Sequence, residues 1–290
     1  MNILWYNVWT YPFLTSNYHI NRVVDYVLKA VSDHHLDVVV LGELFDRATR
    51  EVFKKQLRRG LPGWKVVPRG EETGWAGQQP GGLLAIYRES GFSLVDSRYH
   101  ILSRGAMQDS LAAKGVLGLR FMNDHGTPLW VCATHLQDPD AGFPGLCKWN
   151  TREQFSEVLA VTGMDGPGWA RDEEAVICGD FNLSPADAAT SWVNTSTTLL
   201  LLHPLAATHA TSAETLDYGL TSCPPGRNVD IGLVDDHQNP SDHRAICILV
   251  PHFGRTTPPC VTQVPRLPPE LSSILWITLA LCWTWQWVFT

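Results

Sequence analysis

The chain has 290 residues, 44% of them hydrophobic, with 29 acidic against 22 basic side chains and a formal net charge of −7. That length and apolar content suit one large cored domain or two small ones. The acidic balance repels polyphosphate at long range, which disfavours tight sequence-independent nucleic-acid binding. Seven cysteines are scattered singly, without a CxxC pair, so neither a disulfide framework nor a structural zinc site is expected. Cys132 and Cys178 sit inside apolar runs and read as small buried hydrophobes.

Asn2 to Val8 is a short apolar run suited to a buried strand, and without a basic segment before it no signal peptide is read. Ile20, Val23, Val24, Val27, Leu28 and Val31 fall on one face of a helix. Asp37 opens DVVVLGE, a β-branched run typical of a strand buried on both faces. A second helix is predicted near Ala48 to Arg59, with Gly60 as its stop. Strands follow at Trp64–Val67, Gly82–Tyr87, Phe92–Ser97, Gly115–Phe121 and Leu129–Thr134, separated by turn residues such as Asn123, Asp124 and Gly126. A helix near Arg152 to Val161 has Thr151 and Gln154 as a capping box. AVICGD, a short helix near Pro185, TLDYGL, NVDIGLV and a last strand AICILV complete the pattern. Helices cover strands in both halves, so the expected architecture is α/β, two mixed sheets sandwiched between helices.

The C-terminal stretch reads differently. Residues 254–270 are Pro-rich and suit an extended linker. Residues 271–290 carry no charge, and about 20 residues of helix cross a bilayer core. Trp283, Trp285 and Trp287 suit a membrane interface. The division expected is a domain at 1–253, a linker at 254–270 and a single-pass membrane segment at 271–290, with the domain on the cytosolic side.

Several polar residues stand directly at the ends of apolar strands. Asn7 follows ILWY, Glu43 follows VVVLG, His135 follows LWVCAT, and Asp180 and Asn182 follow AVIC. Asp242 and His243 precede AICILV. Strand ends hold a side chain rigidly while leaving it within reach of a substrate. Burying such groups unpaired costs on the order of 1–3 kcal/mol each, so a run of them suggests one shared polar site.

The segments YNVW at 6–9, GELFD at 42–46, THLQ at 134–137, GDFN at 179–182, LDYGL at 216–220 and SDHRAI at 241–246 resemble, in order, the endonuclease/exonuclease/phosphatase superfamily. ELFD with THLQ, the Gly-Gly strand in PGGLLAI and the Lys-Gly in AKGV resemble neutral sphingomyelinase C more narrowly, of the bacterial sphingomyelinase and beta-toxin type. The resemblance spans about residues 2 to 250. It implies a four-layer α/β sandwich of the DNase I-like kind. It also implies a Mg²⁺-dependent phosphodiesterase, with Mn²⁺ or Co²⁺ as substitutes, that hydrolyses sphingomyelin to ceramide and phosphocholine. Two other readings remain: a nuclease or phosphoinositide hydrolase on the same core, and a catalytically silent membrane-anchored binding protein.

The chemistry fits those residues. A hard divalent cation neutralises nonbridging phosphate oxygens and lowers the pKa of bound water. Mg²⁺ keeps several waters, so one or two carboxylates suffice. Glu43 is the first choice of ligand, with Asn7 adjacent through its amide oxygen or a water. His243 is the expected general base, and Asp217 the acceptor that fixes its tautomer, with Asp230 as rival. His135 is assigned to the leaving alkoxide or to phosphate oxygens. Asp180 orients water or helps to position the metal, and Asn182 donates to a phosphate oxygen. Asp242 resembles the carboxylate beside the metal or the catalytic histidine. Phe45 and Asp46 suit a choline cation, and Asp46 suits a helix N-cap equally. The partners expected are sphingomyelin or a related choline phospholipid and a membrane reached through the C-terminal segment. No nucleic acid is expected, and the protein is expected to be a monomer. This chain departs from the family pattern at Gly42, where an amide residue ordinarily precedes the glutamate.

Overall fold

The computed structural model describes residues 1–10, 16–67, 81–103, 105, 112–140, 144–164, 167–191, 200–204, 206–209, 212–224, 227–234, 239–251 and 253. Among the described residues twelve strands and four helices follow in the order β1 (Asn2–Asn7), α1 (Asn17–Asp33), β2 (Val38–Gly42), α2 (Arg47–Gly60), β3 (Lys65–Val66), β4 (Leu84–Tyr87), β5 (Phe92–Ile101), β6 (Gly115–Asn123), β7 (Pro128–His135), α3 (Pro144–Thr162), β8 (Glu174–Asp180), α4 (Pro185–Ser191), β9 (Leu200–Leu202), β10 (Asp217–Thr221), β11 (Asp230–Leu233) and β12 (Ile246–Leu249).

The strands form two mixed sheets of six, ordered β11-β12-β1-β2-β4-β3 and β5-β6-β7-β8-β10-β9. The alternation of side chains along a strand sorts each apolar run into two layers. In β1 and β2, Ile3, Trp5, Val38 and Val40 enter the core between the sheets, where they meet Leu117, Leu119, Val131 and Val176 of the other sheet. Leu4, Tyr6, Val39 and Leu41 point the opposite way and pack under α1 and α2. On the far side Phe155, Val158 and Leu159 of α3 and Ala188 of α4 cover Ile177, Trp130 and Tyr218. The result is helix, sheet, sheet, helix: the four-layer α/β sandwich expected from the sequence.

The apolar face of α1 is buried as its spacing requires, and Ser16 caps the helix by accepting the His19 N–H at 3.2 Å. Gly60 ends α2, but its smallness serves packing as well. A Cβ there would stand 2.6 Å from Leu28 Cδ2, so the close approach of α2 to α1 requires glycine. The capping box expected at Thr151 and Gln154 is not formed, because α3 begins seven residues earlier. The Thr151 hydroxyl instead donates to the Cys147 and Gln137 carbonyls, and Gln154 accepts the Gln137 N–H. Cys132, Cys147, Cys178 and Cys223 are buried free thiols, whereas Cys247 is disulfide-bonded.

The expected membrane anchor and the cytosolic placement drawn from it do not stand. Among the described residues no helix is long and apolar enough to cross a membrane. The longest, α3, carries Lys148, Arg152, Glu153 and Glu157, whose charges are costly in hydrocarbon. The linker at 254–270 and the segment at 271–290 lie outside the described residues.

What matters for chemistry is direction. β1 runs parallel to β2 in one sheet and β7 runs parallel to β8 in the other. The C-terminal ends of these central pairs carry Asn7, Glu43, His135 and Asp180. The register Asp217↔Asp180 brings the start of β10 to the same end.

Candidate active site

The strand ends converge. Ligand-capable atoms of Glu43, His135 and Asp180 lie within 4.8 Å of one another, as do those of Asp180, Asp217 and His243, and those of His209, Asp242 and His243. The middle group shares Asp180 with the first and His243 with the last, so both sheets contribute to one site.

Asn7 joins the two carboxylates at its centre. Its amide nitrogen donates to Glu43 Oε1 and to Asp180 Oδ2, each at 3.0 Å, and its oxygen accepts the Trp9 N–H at 3.1 Å. The amide nitrogen, rather than the oxygen, therefore faces the acids. Glu43 has a φ of 60° and Asn182 a φ of 49°, in the left-handed region that side-chain-bearing residues seldom occupy. Such strain persists only where surrounding bonds hold it. Around Glu43, Thr10 Oγ1 donates to its carbonyl and Leu44 N–H donates to Gly82 O at 2.8 Å. Asn182 is held by its N–H on Asp180 Oδ1 at 3.0 Å and its amide on Leu136 O at 3.1 Å.

The charges within this cluster are displaced from their usual ranges. Burial pushes the Glu43 carboxyl up to about 7, although Asn7 and His243 pull the other way. Burial likewise raises Asp180 to about 6. For His243 burial opposes the charged form, but the carboxylates of Asp217, Asp180 and Asp242 overcome it and lift the imidazole to about 10. His135 moves in the opposite direction, well below its usual value, through burial first and then the charges of Lys114 and His243.

His243 Nδ1 is hydrogen-bonded to Asp217 Oδ2 at 2.7 Å, so of the two rivals Asp217 is the acid on the imidazole. Asp230 stands in β11, with its Cα paired to Leu249 at the other end of β12. The Nε2 atom of His243 lies 3.6 Å from Asp180 Oδ2. The loop carrying it is tied down locally. Ser241 Oγ donates to Asn7 O at 2.8 Å and accepts the His243 N–H at 3.1 Å, while Asn239 donates to His243 O at 2.6 Å. His135 Nε2 lies 3.9 Å from Glu43, 3.7 Å from Asp180 and 3.5 Å from Lys114 Nζ, and its buried Nδ1 has no hydrogen-bond partner.

The remaining expected residues stand further out. Asp242 pairs with His209 Nε2 at 3.6 Å, and its carboxylate is not in the group formed by Glu43, His135 and Asp180. Asp46 is the N-cap of α2, accepting from Thr49 N at 2.7 Å and Thr49 Oγ1 at 2.8 Å. Phe45 is half-buried, with its ring 6.0 Å from that of His135. Gly82, at a φ of 78°, makes room for that ring, since a Cβ there would stand 2.8 Å from Phe45 Cε1.

Sequence reasoning passed over three neighbours. Lys114 is buried, with its ammonium on Leu136 O at 2.7 Å and beside His135; AKGV marked its position without a role. His209 packs edge-on against His243, ring centres 4.9 Å apart, and lies in a segment with no motif. Trp5 donates from its indole to Asp217 and reads in sequence as plain core.

The donor set fits a hard cation. A buried and a half-buried carboxylate share one amide donor, and desolvation raises both, as expected of acids awaiting a compensating charge.

No protein-family profile matches the chain, and no curated protein does. Solved structures do. A Staphylococcus aureus beta toxin mutant with bound magnesium ions matches with a TM-score of 0.67 at 17% identity, over 88% of this chain and 99% of its own. Sphingomyelinase C from Streptomyces griseocarneus matches at 0.64 and 20%, over 85% and 98%. An endonuclease/exonuclease/phosphatase from Bacteroides vulgatus matches at 0.62 and 17%, over 86% and 98%. The chain has the endonuclease/exonuclease/phosphatase fold, with sphingomyelinase C and beta toxin among its structural neighbours.

Proposed function

We propose that the chain is a Mg²⁺-dependent phosphodiesterase that cleaves sphingomyelin into ceramide and phosphocholine. The observation that carries this reading is the convergence of Glu43, Asn7, His135, Asp180, Asp217 and His243 from both sheets on one end of the sandwich. A bound divalent cation would supply charge neutralisation of the phosphate and a more acidic water. Glu43 and Asp180 would hold it, with Asn7 keeping the two carboxylates in register.

The rest is the work of the chain's own residues. Asp217 accepts from Nδ1 of His243 and so leaves Nε2 facing the site. Neutralising Glu43 and Asp180 removes part of the pull that keeps His243 protonated. Nε2 can then accept the proton of an attacking water. His135 is held neutral, which suits hydrogen bonding to a phosphate oxygen better than outright protonation of the leaving alkoxide. Asn182 adds a second amide donor on the same side. Asp242, through His209 and the field it exerts on His243, acts at the rim.

Three features support the lipid substrate: the ELFD and THLQ motifs, the sphingomyelinase C and beta toxin neighbours, and the ring of Phe45 beside His135. With Asp46 engaged by Thr49, the aromatic face is left as the choline contact.

The test is release of phosphocholine from sphingomyelin vesicles, with and without Mg²⁺, beside a plasmid-nicking assay and a His243→Ala control. Mg²⁺-dependent phosphocholine release is the expected result. Nicking without phosphocholine release would move the substrate to nucleic acid, and turnover by the His243→Ala protein at the wild-type rate would remove the mechanism.

A further inference from the structure

Trp5 occupies the middle of β1 and is fully buried among the apolar side chains between the sheets. Its indole nitrogen nevertheless has a polar task. Nε1 donates to Asp217 Oδ1 at 2.8 Å, while Asp217 Oδ2 is bonded to His243 Nδ1 at 2.7 Å. Asp217 is itself fully buried, and its N–H is held on Thr208 Oγ1 at 2.9 Å. Each carboxylate oxygen thus has a donor, one on β1 and one in the loop that leads into β12, both strands of the sheet that Asp217 does not belong to.

Gly42 makes this possible. A Cβ at that position would stand 2.8 Å from Trp5 Cη2 and 3.0 Å from Cζ2. The far edge of the indole therefore lies where a side chain on residue 42 would begin.

We propose that Trp5 is a positioning residue: its indole N–H, admitted by Gly42, fixes the Asp217 carboxylate and through it the tautomer and aim of His243. The inference rests on His243 acting as the base. An indole can only donate, so Oδ1 is committed to Trp5 and Oδ2 alone is presented to the imidazole. Nδ1 then carries the proton, and Nε2 is the atom turned to the site. Without the indole, Oδ1 would be a buried acceptor with nothing to bind, and the carboxylate could turn.

Trp5→Phe removes the N–H and keeps a ring. Gly42→Ala deletes no native side-chain atom and displaces the indole. Each is expected to lower kcat for sphingomyelin on the order of 10-fold with KM little changed. Neither should lower it further in an Asp217→Asn background. The double variant Trp5→Phe/Gly42→Ala separates packing from hydrogen bonding, because the smaller ring leaves room for the added methyl. It should regain the thermal stability lost in Gly42→Ala without regaining kcat; recovery of kcat would overturn the proposal.

A readout independent of turnover is the Nδ1–H proton resonance of His243 in the metal-free protein, assigned by its loss in His243→Gln. It should shift and exchange faster with water in Trp5→Phe, and an unchanged resonance would overturn the proposal. Wild-type turnover in His243→Gln would instead remove His243 from the role of base, while the resonance still judges the indole contact.

Discussion

The two halves of the site give the same side chain different charge states, neutral in one and cationic in the other. His135, at the end of β7, and His243, before β12, both place Nε2 within 4 Å of Asp180 Oδ2. Burial works against the imidazolium in both. They part at the other nitrogen: His243 has Asp217 on Nδ1, whereas Nδ1 of His135 has no hydrogen-bond partner and its Nε2 faces the Lys114 ammonium. A carboxylate on one imidazole and a lysine near the other decide which is charged. Proximity to a shared acid does not decide a histidine's role; what sits on its remaining atoms does.

The harshest way to break this comparison is to remove the charged member. His243→Ala should lower kcat by about 10³-fold in a sphingomyelin assay, within the range of general-base losses. Asp217→Asn should approach it, since the amide cannot hold the imidazole in the same form. Glu43→Gln tests the cation instead. Mg²⁺ affinity, measured by calorimetry on the purified protein, should fall on the order of 10 to 100-fold. His135→Asn keeps a donor near the phosphate, so its loss should stay within about 10-fold, against the far larger loss for the same change at His243.

Acidity sharpens the contrast further. Glu43 and Asp180 rise to about 7 and about 6, so below those values both take up protons and a cation must displace them. Mg²⁺ affinity should climb as pH rises through 6 to 7, with protons released into the buffer on binding. In the metal-free protein the linkage has one sign for all three raised groups. For the two acids the folded state binds protons more tightly, so stability present below about 4 is lost as pH rises through 6 to 7. For His243 the stability present below 6.5 is lost as pH rises to about 10. Denaturant midpoints should therefore fall between about pH 8 and 10, above the range in which His135 and the N-terminal amine act with the opposite sign, and a flat profile there would refute the charge assigned to His243. The smallest effect is expected at Asp230→Asn, which should change kcat less than about 2-fold, since a change far from the reacting groups leaves them undisturbed.

How much of this was legible depended on distance along the chain. β1, β2, β7 and β8 announce themselves because a strand buried on both faces needs an unbroken apolar run, and the residue that breaks the run is then conspicuous. That is why Asn7, Glu43, His135 and Asp180 could be picked out. The β9 strand, only Leu200–Leu202, is too short to show a period. Thr151 looked like a cap because side-chain chemistry alone does not reveal that the helix starts earlier. Trp5, Lys114 and His209 were hidden for another reason. Their polar atoms act across sheet contacts or on residues far away, as with the 212 positions between Trp5 and Asp217. No local pattern records such a pairing. Asp46 was left between two roles, and the structure shows the cap.

The bond from Trp5 to Asp217 runs from one sheet to the other. Glu43, Asn7 and His243 ride on the first layer of strands, and His135, Asp180 and Asp217 on the second, so neither layer holds a complete set. On the proposed function, turnover is available only after the two layers have closed face to face, late in the acquisition of structure, since contacts of such long range form slowly. A chain stalled short of that closure would leave phosphodiesters untouched, and recovered activity during renaturation would be a direct clock for docking of the layers.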